Sequence, residues 1–507
     1  MSAQAPYNNE SEPPEEFGSR VRSALAWRYG SQVVAQIITW GSTIMVVRLL
    51  DPSDYGLFAM SQVVLAALAF MNGWGFAQSL VQQKNVTRRE IGQVFALLLL
   101  LNGALALAQV LLAPWAASYF REPQVETMLY VQALFYLTTP FIALPSALLS
   151  RELKFKPQGY ANMAAAISGA LTALGLAWFG YGVWALVYAP IVAFVLRALV
   201  LTLAARSLVM PVFDFRGAAT IVTFGGAMTV IQLLWIIQSQ SDIFIAGRAF
   251  DTYDLGLYAE ALFLTLIVTA RFLPPLNEVA FPAYAELHQS GRSLAPYFLR
   301  AMGAVALLTF PIFIGLALTA HEAVETLFGT KWVPMAPIVA GLAIIMPARA
   351  LEIICDPSTN AIGRPGIAVW SSLFGAIVFT ASFLVGVEYG AQGLVRAWWV
   401  AAPLLLVFTL ALTLPAIGAS LTGLVKAIAP AIIACTVMAA AVLALKMVLP
   451  DWPSWARLLA KGATGAAVYS AVIWLGWRDM VMESIAFVRN RPSSIPEPGE
   501  KVQTTSG

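Results

Sequence analysis

The sequence predicts an all-α polytopic membrane protein of about fourteen transmembrane helices. It arranges them as two parallel six-helix repeats plus two C-terminal helices around a central cavity. Three observations predict this. Of the 507 residues, 59% are hydrophobic and only 11% are charged, against about 25% charged in soluble domains; mean hydropathy is +0.75. Apolar runs of roughly 20 residues, the length that crosses a bilayer as a helix, recur along the chain. Finally, a polar stretch is written twice, "RLLDPSDYGLFA" at Arg48–Ala59 and "RAFDTYDLGLYA" at Arg248–Ala259. The two copies share the arginine, both aspartates, the glycine, the leucine after it and the last alanine.

Residues 1–23 are polar and contain prolines. They hold neither an apolar core nor a small-residue cleavage site, which excludes a signal peptide and predicts a disordered cytoplasmic tail. The N-terminal half, 24–210, carries spans near 25–47, 56–80, 92–117, 126–149, 159–179 and 183–205. The C-terminal half, 211–415, carries spans near 218–247, 256–281, 299–320, 333–355, 367–387 and 392–415. Prolines interrupt 126–149 and 333–355. Residues 416–477 add spans near 424–447 and 456–476, and 478–507 form a second cytoplasmic tail. That tail opens on "RDMVMESIAFVRN", a candidate amphipathic helix on the inner surface. Loops are short throughout, with no soluble domain inserted.

Lys and Arg set the orientation. With both termini in the cytoplasm, most of the 30 Lys and Arg residues face inward, among them Arg88, Arg89, Arg151, Arg197 and Arg206. The loop before the last span fits poorly, because Lys446, Arg457 and Lys461 then lie outside. A net charge of +3, with basic residues scattered between apolar runs, leaves no nucleic-acid footprint. Cys355 and Cys435 sit inside apolar runs and read as buried thiols. His288 and His321 fall on opposite sides, so neither a histidine-based catalytic pair nor a metal site is expected, and no cofactor is implied.

The duplicated stretch lies in the outer connection after the first span of each half. Aspartates and glycine are good turn and cap chemistry in any hairpin, which accounts for each copy separately. The matching register, with an even number of spans between, points to parallel repeats related by an axis along the membrane normal.

Three segments of the first half carry a family resemblance: "VVRLLDPSDYGLFA", "GFAQSLVQQKNVTRREIGQVF" and "LPSALLSRELKFKPQGYANMAAAISGALTALGLAWFGYGVWALV". "SDIFIAGRAFDTYDLGLYAEALFL", "VAFPAYAELHQS", "LFGTKWVPMAPIV" and "AIGRPG" extend it. Over roughly residues 20 to 415 the chain resembles the oligosaccharide flippases, the polysaccharide transporter branch of the multidrug/oligosaccharidyl-lipid/polysaccharide exporter superfamily. The resemblance implies a bacterial inner-membrane protein that moves undecaprenyl-pyrophosphate-linked repeat units to the periplasmic leaflet by alternating access. It also implies proton or sodium coupling, membrane lipids around the protein, and polymerase and chain-length machinery as partners.

Such a substrate presents a pyrophosphate and a hydrated glycan, so ionisable and amide side chains within spans are the candidates. Arg28, near the inner end of the first span, and Arg271, before Pro274 and Pro275, are assigned to the pyrophosphate. Both arginines also have the reading of snorkelling to headgroups. Gln32, Gln36 and Asn72 suit sugar hydroxyls, and Arg396 lies inside the twelfth span. Arg349 and Glu352, with Asp356 on the same face, are cavity candidates or an ion pair within one helix. Asp242 is a cavity candidate, a partner of Arg248, or a carrier of a coupling proton. Glycolipid translocation leads because the candidates are mostly arginines. Export of drugs or small cations on the same fold is the alternative, and favours an acid-lined cavity. A membrane enzyme would need a large periplasmic loop, which is missing.

Overall fold

The computed structural model describes residues 14–69, 72–82, 86–152, 154–206, 209–214 and 219–478. Those residues are helical, with no strand among them. In order, the helices are α1 (Pro14–Leu49), α2 (Pro52–Ala69), α3 (Trp74–Gln82), α4 (Arg88–Phe120), α5 (Pro123–Gln132), α6 (Leu134–Thr138) and α7 (Pro140–Arg151). There follow α8 (Phe155–Trp178), α9 (Trp184–Ala205), α10 (Ala219–Ala249), α11 (Thr252–Gln289), α12 (Ala295–Leu318) and α13 (Ala320–Leu327). The last are α14 (Ala336–Ile353), α15 (Cys355–Ala361), α16 (Gly366–Gly386), α17 (Gly390–Ile417), α18 (Leu421–Val448) and α19 (Ser454–Gly476). Among the described residues, 11 helical stretches are long and apolar enough to cross a membrane. One of them, Gly366–Ile417, folds as two helices, α16 and α17.

Local chemistry sets the boundaries. Thr87 and Glu90 close a reciprocal capping box at the start of α4, and Arg121 ends that helix in the left-handed conformation at φ 62°. The span expected at 126–149 is instead broken into α5, α6 and α7. Pro140, which can donate no backbone hydrogen bond, opens α7 rather than continuing a helix. The expected 333–355 span likewise starts as a 3-10 turn at Thr330–Met335, around Pro334. Two differences run the other way. Helix α1 begins at Pro14, inside the stretch read as a disordered tail; proline lacks an N–H that the first turn leaves unpaired anyway. Helix α11 passes through Pro274 and Pro275, where a break was expected; membrane helices tolerate proline when neighbours re-satisfy the freed carbonyls. Most of the C-terminal tail, including the proposed amphipathic helix, lies outside the described residues.

The chain separates into two compact units: Met1–Leu264, Leu327–Leu342 and Ala368–Phe408 form one, and Thr265–Thr326, Ala343–Ile367 and Thr409–Gly507 the other. In the first unit, α8 packs against both α1 and α9. The packing is close because the facing positions are small: a methyl group on Gly169 would meet Ala193 Cβ at 3.2 Å, and one on Gly159 would meet Ser31 Oγ at 3.0 Å. In the second unit α12 packs against α18 and α19, and Tyr469 donates to the carbonyl of Leu307 at 2.8 Å. The last two helices, the least certain part of the sequence reading, are therefore built into a bundle. Cys355 and Cys435 are both buried and unbridged.

The repeated stretches meet in the first unit. A methyl group on Gly56 would overlap the carbonyl oxygen of Thr252, and one on Gly256 would overlap that of Pro52. Gly56 and Gly256 are equivalent residues of the two copies, and so are Pro52 and Thr252. The equivalent arginines each bond a backbone carbonyl outside the repeated stretch. Arg48 donates through Nε to the carbonyl of Leu327 at 2.9 Å, and Arg248 donates to the carbonyl of Tyr119 at 2.9 Å. Equivalent groups exchanging equivalent contacts is the pattern of a two-fold relation, and only glycine permits backbone to lie on backbone here.

Candidate functional site

A cavity of about 870 Å³ opens within the first unit, a volume in the range of ligand pockets, about 300–1,000 Å³. Its walls come from α1, α7, α8 and α9, with Tyr55 and Phe58 from α2 and Glu260 and Phe263 from α11. Ser31, Gln32, Gln36, Thr39, Ser42 and Thr43 line one wall at helical spacing along α1. Asn162 and Gln158 face it from α8, and alanines and glycines of α8 and α9 fill the remaining wall. Small side chains leave room here; amides and hydroxyls supply donors and acceptors. Several are already positioned: Gln158 Nε2 donates to Ser150 Oγ at 2.9 Å and to the Ser146 carbonyl at 3.1 Å. Thr43 donates to the Thr39 carbonyl at 2.8 Å.

Two ionisable side chains line the same cavity, Arg197 of α9 and Glu260 of α11. Among the described residues, buried Arg197 Nε and buried Glu260 Oε2 have no hydrogen-bond partner. Glu260 is only 9% exposed. Leaving a buried polar atom unpaired is costly, so two such atoms beside one polar space mark it as a place for a ligand. Neither stood among the sequence candidates. Arg197 had been counted with the inner connection, although it lies well inside α9. Glu260 stands in "GLYAEALF", early in an apolar run, where an acid within a span is the signal that finds it.

The structure disperses the sequence candidates. Gln32 and Gln36 line the cavity. Arg28 falls in α1, but its side chain lies outside the described residues. Asn72 does not line the cavity; its carbonyl accepts from Asn102 Nδ2 at 2.9 Å. Arg271 is exposed on the part of α11 that belongs to the second unit, and Arg396 is exposed on α17. Arg349 and Glu352 form an ion pair at 2.6 Å across one helical turn in the second unit, with side chains 13% and 11% exposed. Asp356 stands beyond the end of α14, on α15, rather than continuing their helix.

Asp242 takes a different partner from the one the sequence offered. Arg248 bonds the Tyr119 carbonyl and covers the Tyr119 ring. Asp242, buried in the first unit and 1% exposed, accepts the Tyr258 hydroxyl at 2.9 Å. That hydroxyl in turn accepts from Trp398 Nε1 at 3.0 Å. The chain of bonds ties α10, α11 and α17 together. Replacing Asp242 with alanine is expected to cost about 1–3 kcal/mol of stability, because the buried phenol loses its acceptor. Asp242→Asn, which retains a carbonyl acceptor, is expected to lose less. Thermal unfolding of the detergent-solubilised variants measures the difference.

The arrangement of helices defines the class of protein, an all-helical polytopic membrane protein. The chain shares its fold with the lipid II flippase MurJ in an inward closed conformation, with a TM-score of 0.71 at 13% identity over 89% of this chain and 98% of MurJ. A multidrug resistance MATE transporter in an inward-facing conformation follows, with a TM-score of 0.60 at 13% identity over 76% and 94%. The chain belongs to the polysaccharide biosynthesis protein family, whose profile matches residues 45–337. It is similar to the lipopolysaccharide biosynthesis protein WzxC of Escherichia coli, 22% identical over 72% of this chain and 74% of WzxC. It is 24% identical to the succinoglycan biosynthesis transport protein ExoT of Rhizobium meliloti, over 71% and 73% of the two chains. The sequence resemblance and the family profile agree.

Proposed function

We propose that the protein translocates undecaprenyl-pyrophosphate-linked oligosaccharide repeat units across the bacterial inner membrane by alternating access, for exopolysaccharide or lipopolysaccharide synthesis. Both termini lie in the cytoplasm in this reading. The observation that carries it is the cavity of the first unit. Its wall of serine, threonine and amide side chains, set among apolar spanning helices, matches the hydroxyls of a glycan, and Arg197 matches a phosphate. The named relatives support the class: WzxC and ExoT serve polysaccharide synthesis, and MurJ flips a lipid-linked precursor. An exporter of small cations would gather acids around this space, and among the described residues Glu260 is the one acid lining it. Coupling to a proton or sodium gradient belongs to the same proposal.

Arg28 and Arg271 remain the proposed contacts to the pyrophosphate along the translocation path. In a strain whose polymer export depends on this gene, Arg271→Ala is expected to abolish polymer at unchanged membrane levels, with lipid-linked repeat units accumulating. Normal polymer in that variant removes Arg271 from the path. Normal polymer in a strain deleted for the gene refutes the function itself.

A further inference from the structure

Arg197 and Glu260 line the same cavity at different depths along their helices. Arg197 lies roughly 12 Å along the axis of α9 from its C-terminal end at Ala205, at 1.5 Å per residue. Glu260 lies roughly 12 Å into α11 from its start at Thr252. In the proposed orientation both helices run from the outer to the inner face, so Arg197 lies past the middle of α9 on its inner side and Glu260 in the outer part of α11. The lining also includes Ser150, Gln158 and Asn162, from the inner ends of their helices. Phe263, one turn along α11 from Glu260, lines it with Tyr55 and Phe58 of α2.

The geometry points to a ligand seated with fixed polarity in this cavity, its phosphate against Arg197 and its sugar against Glu260, which makes Glu260 a recognition residue for the glycan. This rests on the lipid-linked-substrate reading above. Arg197 is a permanent cation with an unpartnered, buried Nε donor, the complement of a phosphate oxygen. Glu260 offers the opposite: a carboxylate oxygen with no partner, 9% exposed, beside aromatic rings. A carboxyl oxygen with free lone pairs accepts hydrogen bonds from sugar hydroxyls, and the apolar faces of the sugar ring pack on Phe58 and Phe263. Placing donor and acceptor apart makes a bare phosphate lipid use one end only.

The test separates the two ends. Full-length protein in nanodiscs is titrated with radiolabelled undecaprenyl pyrophosphate and with undecaprenyl pyrophosphate carrying one N-acetylhexosamine. Glu260→Gln, which keeps the shape but replaces one acceptor oxygen with an NH2 donor, is expected to weaken binding of the sugar-bearing lipid about tenfold, the size of one hydrogen bond lost to a mismatched donor. Binding of the bare lipid stays unchanged. Arg197→Gln is expected to weaken both lipids alike. Glu260→Asp, with its shorter arm, should show the same sugar-dependent loss and serves if the glutamine variant folds poorly. Equal losses for both lipids in the Glu260 variants, as a coupling-cation role would give, or no loss at all, overturn the assignment of Glu260. Failure of the wild-type protein to bind either lipid overturns the lipid-linked-substrate reading, and this assignment with it.

Discussion

Gly56→Ala is expected to leave little folded protein in the membrane, and Gly256→Ala to do the same. At each position the new methyl group would occupy the space of a backbone carbonyl, Thr252 in one case and Pro52 in the other. A clash with a flexible side chain can be relieved by a rotamer change; one with helix backbone requires two helices to part. Overpacking costs about 1–3 kcal/mol, occasionally more, and an unyielding partner places these variants at or above the top of that range. The effects will not add in the double variant, since both substitutions part the same pair of helices. Gly41, exposed on α1 with nothing near its added methyl group, is the control. Gly41→Ala should be neutral or stabilise by up to about 1 kcal/mol through helix propensity. The measurement is the fraction of solubilised protein that stays monodisperse after heating. Wild-type behaviour of Gly56→Ala would show that the two repeat copies do not touch as described.

This contact also shows what a sequence can and cannot disclose. The duplicated "DPSDYGLFA" and "DTYDLGLYA" were visible, and their turn residues accounted for a loop. That Gly56 and Gly256 face each other was not, because matched letters give register but no distance. Spans were legible for the same reason that they insert: apolar side chains are spelled one by one. Breaks were less legible. Proline at 140 opens a new helix, whereas Pro274 and Pro275 are absorbed within α11, and the outcome depends on neighbours that satisfy the loosened carbonyls.

Charges were the hardest to read, because depth along a span says nothing of which face a residue occupies. Arg271 and Arg396 lie within their helices yet are exposed. Arg197, assigned to a loop, lines the cavity. Gln32 and Gln36 were recovered because α1 turns one polar stripe toward the cavity, at a spacing the sequence displays directly. Trp332, fully buried, bonds the Val47 carbonyl at 3.0 Å and meets Tyr55 edge-on at 5.3 Å. Those partners are far away in the chain, and no local pattern announces them.

One of the charges that fit the inside-positive count poorly, Lys461, has an ionic partner, and removing either member of the pair is expected to be among the most damaging changes in the second unit. Lys461 of α19 is ion-paired with Glu322 of α13, the side chains being 3% and 7% exposed. Ser454, Arg457 and Lys461 recur on one face of α19. Ser454 donates to Glu325, so the same two helices are joined twice. A lysine neutralised in this way does not act as the free positive charge that orients a loop, which accounts for the poor fit of that connection. Lys461→Met leaves the Glu322 carboxylate buried without its cation, and Glu322→Leu strands the ammonium. Each is expected to destabilise by about 3–5 kcal/mol. The double variant Glu322→Leu/Lys461→Met removes both charges and fills the space with apolar side chains, so it should recover most of the loss. Thermal unfolding of the wild type, both single variants and the double variant closes the cycle. Harmless single substitutions would mean that water reaches the pair. A double variant as unstable as either single one would mean that the charges hold α13 and α19 together through contacts beyond their own bond.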